Sequence, residues 1–497
     1  MFNAFEKRSV EKTLIRMDKN KLVFSGFLWR FAERCGAQGV TFLVSIILAR
    51  LLDPVVYGTV ALVTVFTSIM QVFVDSGLGN ALIQKKDADD LDFSTVFFFN
   101  IVVCCFLYLV MFFAAPFIAA LYDMPDITPV IRVLSLVLII SGVKNVQQAY
   151  VSRNMLFKRF FFATLGGTIG AAVLGIFMAW KGFGVWALVA QNLFNMLVDT
   201  IILWATVDWR PKFVFSFSRL KVLYSYGWKL LASSLIDTAY RDVRALVIGI
   251  IYSADDLAFY NRGNQFPSLI VTNINSSIDS VLLPTMSAEQ DHRDRVQLMT
   301  RRAIKTSTYL IMPLMLGLAV CAEPIVRLVL TAKWLPCVVF MRIFCVTYAF
   351  YPIHTANLNA IKAMGRSDIY LKLEIIKMFV EVFALAATMF ISVEAMAYSL
   401  LASSLLSQVI NAWPNRKLLG YGYRDQLKDI LPQFGLACLM GLIVYCVSFL
   451  NFRDWLTLLI QIPLGVAVYV AGSKLLHLDS FEYILSLIKS YKGKKTA

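Results

Sequence analysis

The sequence predicts an all-α integral membrane protein with about fourteen transmembrane helices. Three observations predict it. Of 497 residues, 59% are hydrophobic and only 16% charged, and the mean hydropathy is +0.68. Soluble domains carry about 45–50% apolar and about 25% charged residues. Apolar runs of about 20 residues, the length that crosses a hydrocarbon core, recur along the whole chain. The segments between them alternate between basic and acidic. A disordered chain, a disulfide scaffold and a soluble enzyme are all poor fits to this pattern.

Residues 1–21 mix Phe2, Phe5, Leu14 and Ile15 with charges, which suits a cytoplasmic amphipathic segment and not a signal peptide. Six spans follow at 22–51, 56–84, 93–120, 127–150, 161–181 and 184–206, an N-terminal lobe over 22–206. The run "FSTVFFFNIVVCCFLYLVMFFAAPFIAA" starting at Phe93 carries no charge at all. A basic segment over 207–224 links the two halves. Within and beyond it, "KFVFSFSRLKVLYSY" (212–226) again suits an interfacial helix. Spans at 225–252, 256–286, 303–330, 337–361, 371–392 and 394–413 make a second six-helix lobe over 225–413. A linker (414–430), an extra helix pair (431–473) and a basic cytoplasmic tail (474–497) complete the chain.

The net charge is +15, from 47 Lys and Arg against 32 Asp and Glu. Most of those cations fall on one side. They include Lys7, Arg8, Lys12 and Arg16 at the N-terminus, Lys85 and Lys86, Arg153, Lys158 and Arg159, Arg210 to Lys221, Arg293 to Lys305, Arg416 to Lys428, and the tail. The opposite connections hold only Lys181, Lys333 and Arg453, with acidic stretches at Asp123 to Asp126 and at Asp255 and Asp256. The positive-inside rule then places both termini in the cytoplasm of a multi-pass protein. Nucleic acid is excluded as a partner, because the charge is divided among short segments and forms no single basic face.

An internal repeat links spans two and eight. A shift of 204 positions sets Thr64, Ser68, Gln71 and Asp75 onto Ser268, Thr272, Asn275 and Asp279. Steps of four, three and four keep each set on one helical stripe. A polar stripe inside lipid must face protein or a water-filled cavity. Hydrogen-bonding glue between helices is the alternative reading; the matched carboxylates favour a cavity lining or an ion-coupling role. Both halves begin on the same side, so the repeat is parallel, relating two similar bundles by a pseudo-two-fold axis.

Span seven carries Asp237, Arg241, Asp242 and Arg244 near its middle, and span one carries Arg30, Glu33 and Arg34. Asp237, Arg241 and Arg244 share a face, and Asp237 can pair with Arg241. Lys377, Lys229 and Arg50 read as structural pairs or snorkelling ends. Arg30, Arg34, Arg241 and Arg244 lie on two repeat-related helices and point to a cationic cavity. Arg262, at the outer end of span eight, is counted with them as a substrate-binding cation of the cavity. Guanidinium forks match diphosphate, carboxylate or sulfate oxygens, so the cargo expected there is anionic. Asp75, Asp237 and Asp279 are alternatives for proton or cation coupling.

No P-loop, H-E-x-x-H or G-x-S-x-G motif is present, and the eight cysteines and three histidines show no metal-ligand spacing. Neither an enzyme site, a metal nor a cofactor is expected. The connections are also too short for an extramembrane catalytic platform.

Four segments carry a family likeness: "LARLLDPVVYGTVAL" (48–62), "DSGLGNALIQKK" (75–86), "WRPKFVFSFSRLKVLYSYGWKLLASSL" (209–235) and "LAFYNRGNQFPSL" (257–269). The chain resembles polysaccharide exporters of the Wzx type, nearest the colanic-acid and teichuronic-acid exporter branch. The wider superfamily includes multidrug-and-toxin extrusion antiporters and lipid II flippases. The resemblance implies two six-helix lobes around an alternating-access cavity in the bacterial cytoplasmic membrane. It implies flipping of undecaprenyl-diphosphate-linked oligosaccharide to the outer leaflet, cationic cavity residues, and polysaccharide polymerase and chain-length machinery as partners. An ion-coupled multidrug antiporter shares the architecture and is the second reading.

Overall fold

The computed structural model describes residues 36–75, 78–85, 87–154, 156–450 and 452–493, and every regular element among them is helical. The expected amphipathic segment 1–21, with Arg30, Glu33 and Arg34, lies outside the described residues. Two compact units divide the chain, residues 1–257 and 258–497.

The first unit contains α1 (described over Gly36–Leu51), α2 (Pro54–Asp75), α3 (Leu78–Gln84), α4 (Asp90–Leu121), α5 (Thr128–Leu134), α6 (Leu136–Arg153), α7 (Phe157–Trp180), α8 (Val185–Thr206) and α9 (Phe217–Ile251). Helix α4 starts where Asp89 and Asp92 form a reciprocal capping box. The Asp92 side chain is fully buried and accepts a 2.6 Å hydrogen bond from Lys85 Nζ, with Arg219 Nη1 at 3.5 Å. The first part of the expected 207–224 linker docks on this helix start. Lys212 N donates to Ser94 Oγ at 3.0 Å and Ser216 N to Thr95 Oγ1 at 3.2 Å. Beneath it Trp209 packs on Phe93 and Tyr150, with ring centroids 5.6 and 6.4 Å away. From Phe217 the linker is already helix, continuous with the seventh span. The sequence repeat groups that span with the second half; by packing, α9 clusters with the first unit.

Helices α7 and α8 form a close hairpin. Its turn uses Gly182 and Gly184 at φ +82° and +55°, which L side chains rarely adopt. Gly167 and Gly170 face Asn195 and Phe194 at distances that leave no room for a Cβ. Small residues of this kind let helix backbones approach in lipid.

The second unit contains most of α10 (Ala254–Ala288), then α11 (Arg293–Val320), α12 (Ala322–Val329), α13 (Cys337–Ala349), α14 (Tyr351–Ala363), α15 (Ser367–Thr388), α16 (Val393–Leu418), α17 (Tyr423–Cys446), α18 (Asp454–Leu475) and α19 (Asp479–Gly493). The expected extra pair corresponds to α17 and α18, and polar bonds tie both to α11. Tyr469 OH donates to Tyr309 O, and Tyr309 OH to Ser473 Oγ, both at 3.0 Å. Gln433 donates to Thr308. Deeper in the unit, Asn357, Asn415 and Gln426 join α14, α16 and α17 in one buried amide network.

Ten helical stretches among the described residues are long and apolar enough to cross a membrane, and the chain is a multi-pass membrane protein. Outward-facing Phe106, Phe113 and Phe117 on α4 are 64, 68 and 78% exposed, a surface suited to lipid and not to water. Four expected spans fall outside the set of ten. Helix α1 is described only in part, and α9, α10 and α15 carry charged and amide side chains that lower their hydropathy.

Candidate functional site

In the first unit α9 lies along α2. A Cβ at Gly58 would fall on the carbonyl of Ala254, and one at Gly249 would fall on Leu62. The close approach brings the polar stripe of α2 to the charged stretch of α9. Ser68 Oγ donates a 2.6 Å hydrogen bond to Asp242 Oδ2. The other oxygen of Asp242 faces Arg241 Nε at 3.4 Å. Arg241 therefore pairs with its neighbour Asp242, where the i, i+4 spacing predicts Asp237.

The Arg241 side chain is 67% exposed, and its two Nη groups have no partner among the described residues. It stands ten residues before the end of α9, about 15 Å along the helix. An arginine at mid-membrane costs about 2.5–3.5 kcal/mol on insertion scales, so it belongs beside a polar cavity and not beside lipid tails. Arg244, one turn on, is 8% exposed. Asp237 and Thr64 are exposed, and the Thr64 hydroxyl returns to Val60 O at 2.7 Å. Asp75 closes α2, and its side chain lies outside the described residues.

Gln71, one turn below Ser68, opens onto a second polar feature. It lines a cavity of about 290 Å³ together with Asn80 of α3, Ser141, Lys144, Asn145 and Gln148 of α6, and Met196 of α8. Lys144 Nζ lies 2.5 Å from Asp199 Oδ2 on α8, and both side chains are about nine-tenths buried. Asn145 Nδ2 donates to Val74 O at 3.1 Å and so joins α6 to α2. Ser141 Oγ and Asp199 Oδ1 are buried with no hydrogen-bond partner among the described residues. Water or a hydroxyl-bearing ligand would satisfy such groups.

The matching stripe in the second unit is differently arranged. Asp279 accepts a 2.7 Å hydrogen bond from Asn359, and Thr272 bonds back to Ser268 O at 2.6 Å. Asn275 is half-buried. Arg262 is 5% exposed, stacked 4.8 Å over Trp334 and bonded to Gln265 at 2.6 Å. That is the setting of an anchored arginine with little surface to offer a ligand. Lys377 pairs at 2.7 Å with Glu374, three residues before it, in keeping with its reading as a structural pair.

Of the residues singled out in the sequence, Ser68 and Arg241 are thus joined through Asp242, and Gln71, one turn from Ser68 on α2, lines the neighbouring cavity, which continues this polar seam. Asp242 is the hinge of that seam, and the sequence reading leaves it out of the candidate set because it lies off the Asp237–Arg241–Arg244 face. Lys144 and Asp199 are also missed. Asp199 is the only charge in its apolar span and Lys144 shares its span with Arg132 alone, and such isolated charges were the available signal.

Comparison with known proteins places these features in a family. Residues 47–339, more than half the chain, match the family described as "Polysaccharide biosynthesis protein". The chain is 24% identical over 440 residues to the teichuronic acid biosynthesis protein TuaB of Bacillus subtilis, covering 86% of this chain and 88% of that one. It is 26% identical over 307 residues to the succinoglycan biosynthesis transport protein ExoT of Rhizobium meliloti. That match spans 62% of each, so this chain aligns with less than two thirds of ExoT. The fold is similar to that of lipid II flippase MurJ in an inward closed conformation, with a TM-score of 0.73 at 14% identity over 91% of this chain and 99% of that one. Matched across more than half of its length, the chain belongs to the polysaccharide biosynthesis protein family.

Proposed function

We propose that the protein is an alternating-access flippase that carries an undecaprenyl-diphosphate-linked oligosaccharide from the inner to the outer leaflet of the bacterial cytoplasmic membrane. One observation carries the reading: Arg241 stands exposed within a membrane-length helix, braced at Nε by Asp242, which Ser68 holds in turn. That arrangement leaves the outer guanidinium edge free to grip a diphosphate bidentately. The polar seam toward Lys144 and Gln148 supplies amides and hydroxyls of the kind that bond sugar. Family membership and the MurJ-like fold support the same cargo class.

In this reading the repeat defines two six-helix lobes, with α17 and α18 added to the second. Both termini face the cytoplasm, following the basic segments. Arg30, Arg34, Arg244 and the stripe on α10 line or brace the path, and a polysaccharide polymerase with its chain-length machinery takes the product. The protein moves its cargo and makes no covalent bond. A cationic cavity disfavours the multidrug-antiporter alternative, whose cations would meet like charge. Purified protein in proteoliposomes should move a fluorescent lipid diphosphate–sugar between leaflets. Transfer no faster than in protein-free vesicles, using the native repeat unit, would contradict the proposal.

A further inference from the structure

A second cavity, of about 600 Å³, lies in the second unit between the start of α11 and α19. Its α11 wall is one helical face: Arg295, Leu298, Met299, Arg302 and Lys305 follow at steps of three, one, three and three. Cationic and apolar side chains alternate along it, and Leu298 is 62% exposed. Arg301 grips Asp429 with two 2.7 Å bonds, and Lys305 reaches Asp479 at 2.5 Å, which fixes α19 as the opposite wall. Arg295 bonds Glu289 at 2.9 Å.

Arg302 differs from these. Its guanidinium lies 4.9 Å over the Tyr483 ring, and among the described residues no carboxylate lies within ion-pair distance of it. The stacking orients the group while leaving its N–H edge available, and the cavity keeps more cations than carboxylates. Its position is also informative. The membrane-length helix α18 ends at Leu475, whose side chain is 79% exposed, only four residues before Asp479 begins α19. The cavity therefore opens within a turn or two of the hydrocarbon boundary. A soluble anion would need only the cations; the exposed Leu298 and the half-buried Met299 on the same wall call for an amphiphile.

We propose that this cavity binds the phosphodiester headgroup of an anionic phospholipid, with Arg302 and Arg295 on the phosphate oxygens and the first acyl carbons along Leu298 and Met299. Basic pockets at the ends of transmembrane helices are a recurrent means of holding such headgroups. The site uses neither Arg241 nor the polar seam, so it stands or falls independently of the cargo.

Native mass spectrometry of the full-length protein, with short-chain phosphatidylglycerol and phosphatidylcholine added in equal amounts, tests this directly. Phosphatidylglycerol should be retained at least fivefold over phosphatidylcholine. Arg302→Gln with Arg295→Gln should abolish that preference, and Arg302→Lys should keep part of it. Lys181→Gln, at a charge outside the cavity, should leave it unchanged. Inorganic phosphate and ATP at millimolar concentration should fail to displace the lipid. Equal retention of both lipids overturns the proposal, as does an undiminished preference in the double variant. Displacement by phosphate or ATP overturns it too, since the site would then be one for soluble anions. A thermal melt of each variant like that of the wild type shows that the change is local.

Discussion

Ser68 and Asp242, 174 positions apart in the chain, are joined by a 2.6 Å hydrogen bond that couples α2 to α9 within the first unit. The bond sets which oxygen of Asp242 remains for Arg241, and so sets the direction of the guanidinium fork. Ser68→Ala should lower stability by about 1.5–3 kcal/mol, the usual worth of a hydrogen bond to a charged group. It should also slow cargo transfer by loosening Arg241. Thermal unfolding and transfer rate measured on the same preparation check both effects.

Lys144 and Asp199 make a different kind of contact, an ion pair almost wholly shielded from solvent. Removing one partner strands a buried charge, so Lys144→Met should cost about 3–5 kcal/mol. The double variant Lys144→Met, Asp199→Leu should recover much of that loss, because a neutral pair avoids the desolvation cost. Equal destabilisation in single and double variants, read from denaturation in detergent, would falsify the pairing.

The approach of α2 to Ala254, the first residue of α10, has no room for even one methyl group at Gly58. Overpacking a tight site usually costs about 1–3 kcal/mol, and here the obstacle is a backbone carbonyl, not a flexible side chain. Gly58→Ala should therefore fall at the upper end of that range. Gly435→Ala, where an added methyl meets nothing, should not destabilise the protein. A melting-temperature comparison separates the two.

The docking of α19 should be insensitive to neutral and mildly acidic pH. The Asp479 carboxyl is held below its ordinary value of 3.8, first by the hydrogen bond from Lys305 and then by its charge. A lowered carboxylate value means that the contact contributes fully above the unfolded value. It is lost only as pH falls through the lower folded value. Hydrogen exchange of α19, corrected for intrinsic rates, should stay flat from pH 8 to pH 5. A rise in exchange across that interval would contradict the Lys305–Asp479 contact.

Much of the fold is legible in the sequence because an uninterrupted apolar run such as that from Phe93 has one physical explanation at this length. The polar stripe of α2 is legible as well, since Ser68 and Gln71 keep helical spacing. The partners of that stripe are not. Asp242 sits beside Arg241 and off its face, and only the approach of α2 through Gly58 and Gly249 selects it over Asp237. Lys144 and Asp199 lie 55 positions apart in separate apolar spans, and nothing in either span names the other. The helix expected over 212–226 is present from Phe217, but its continuity with the seventh span is likewise hidden, because the basic segment reads as a separate linker. Which charges meet is a property of packing, which local pattern does not carry.

On the proposed function, the guanidinium fork of Arg241 grips the diphosphate of a lipid-linked oligosaccharide. The most direct measurement is leaflet transfer of a fluorescent lipid diphosphate–sugar in proteoliposomes containing wild type, Arg241→Lys or Arg241→Ala at equal density. Arg241→Ala should slow transfer at least tenfold, equivalent to about 1.4 kcal/mol. Arg241→Lys should fall between, since it keeps the charge and loses the bidentate geometry. Transfer by Arg241→Ala at the wild-type rate, with the protein folded and inserted, would rule out that role for Arg241.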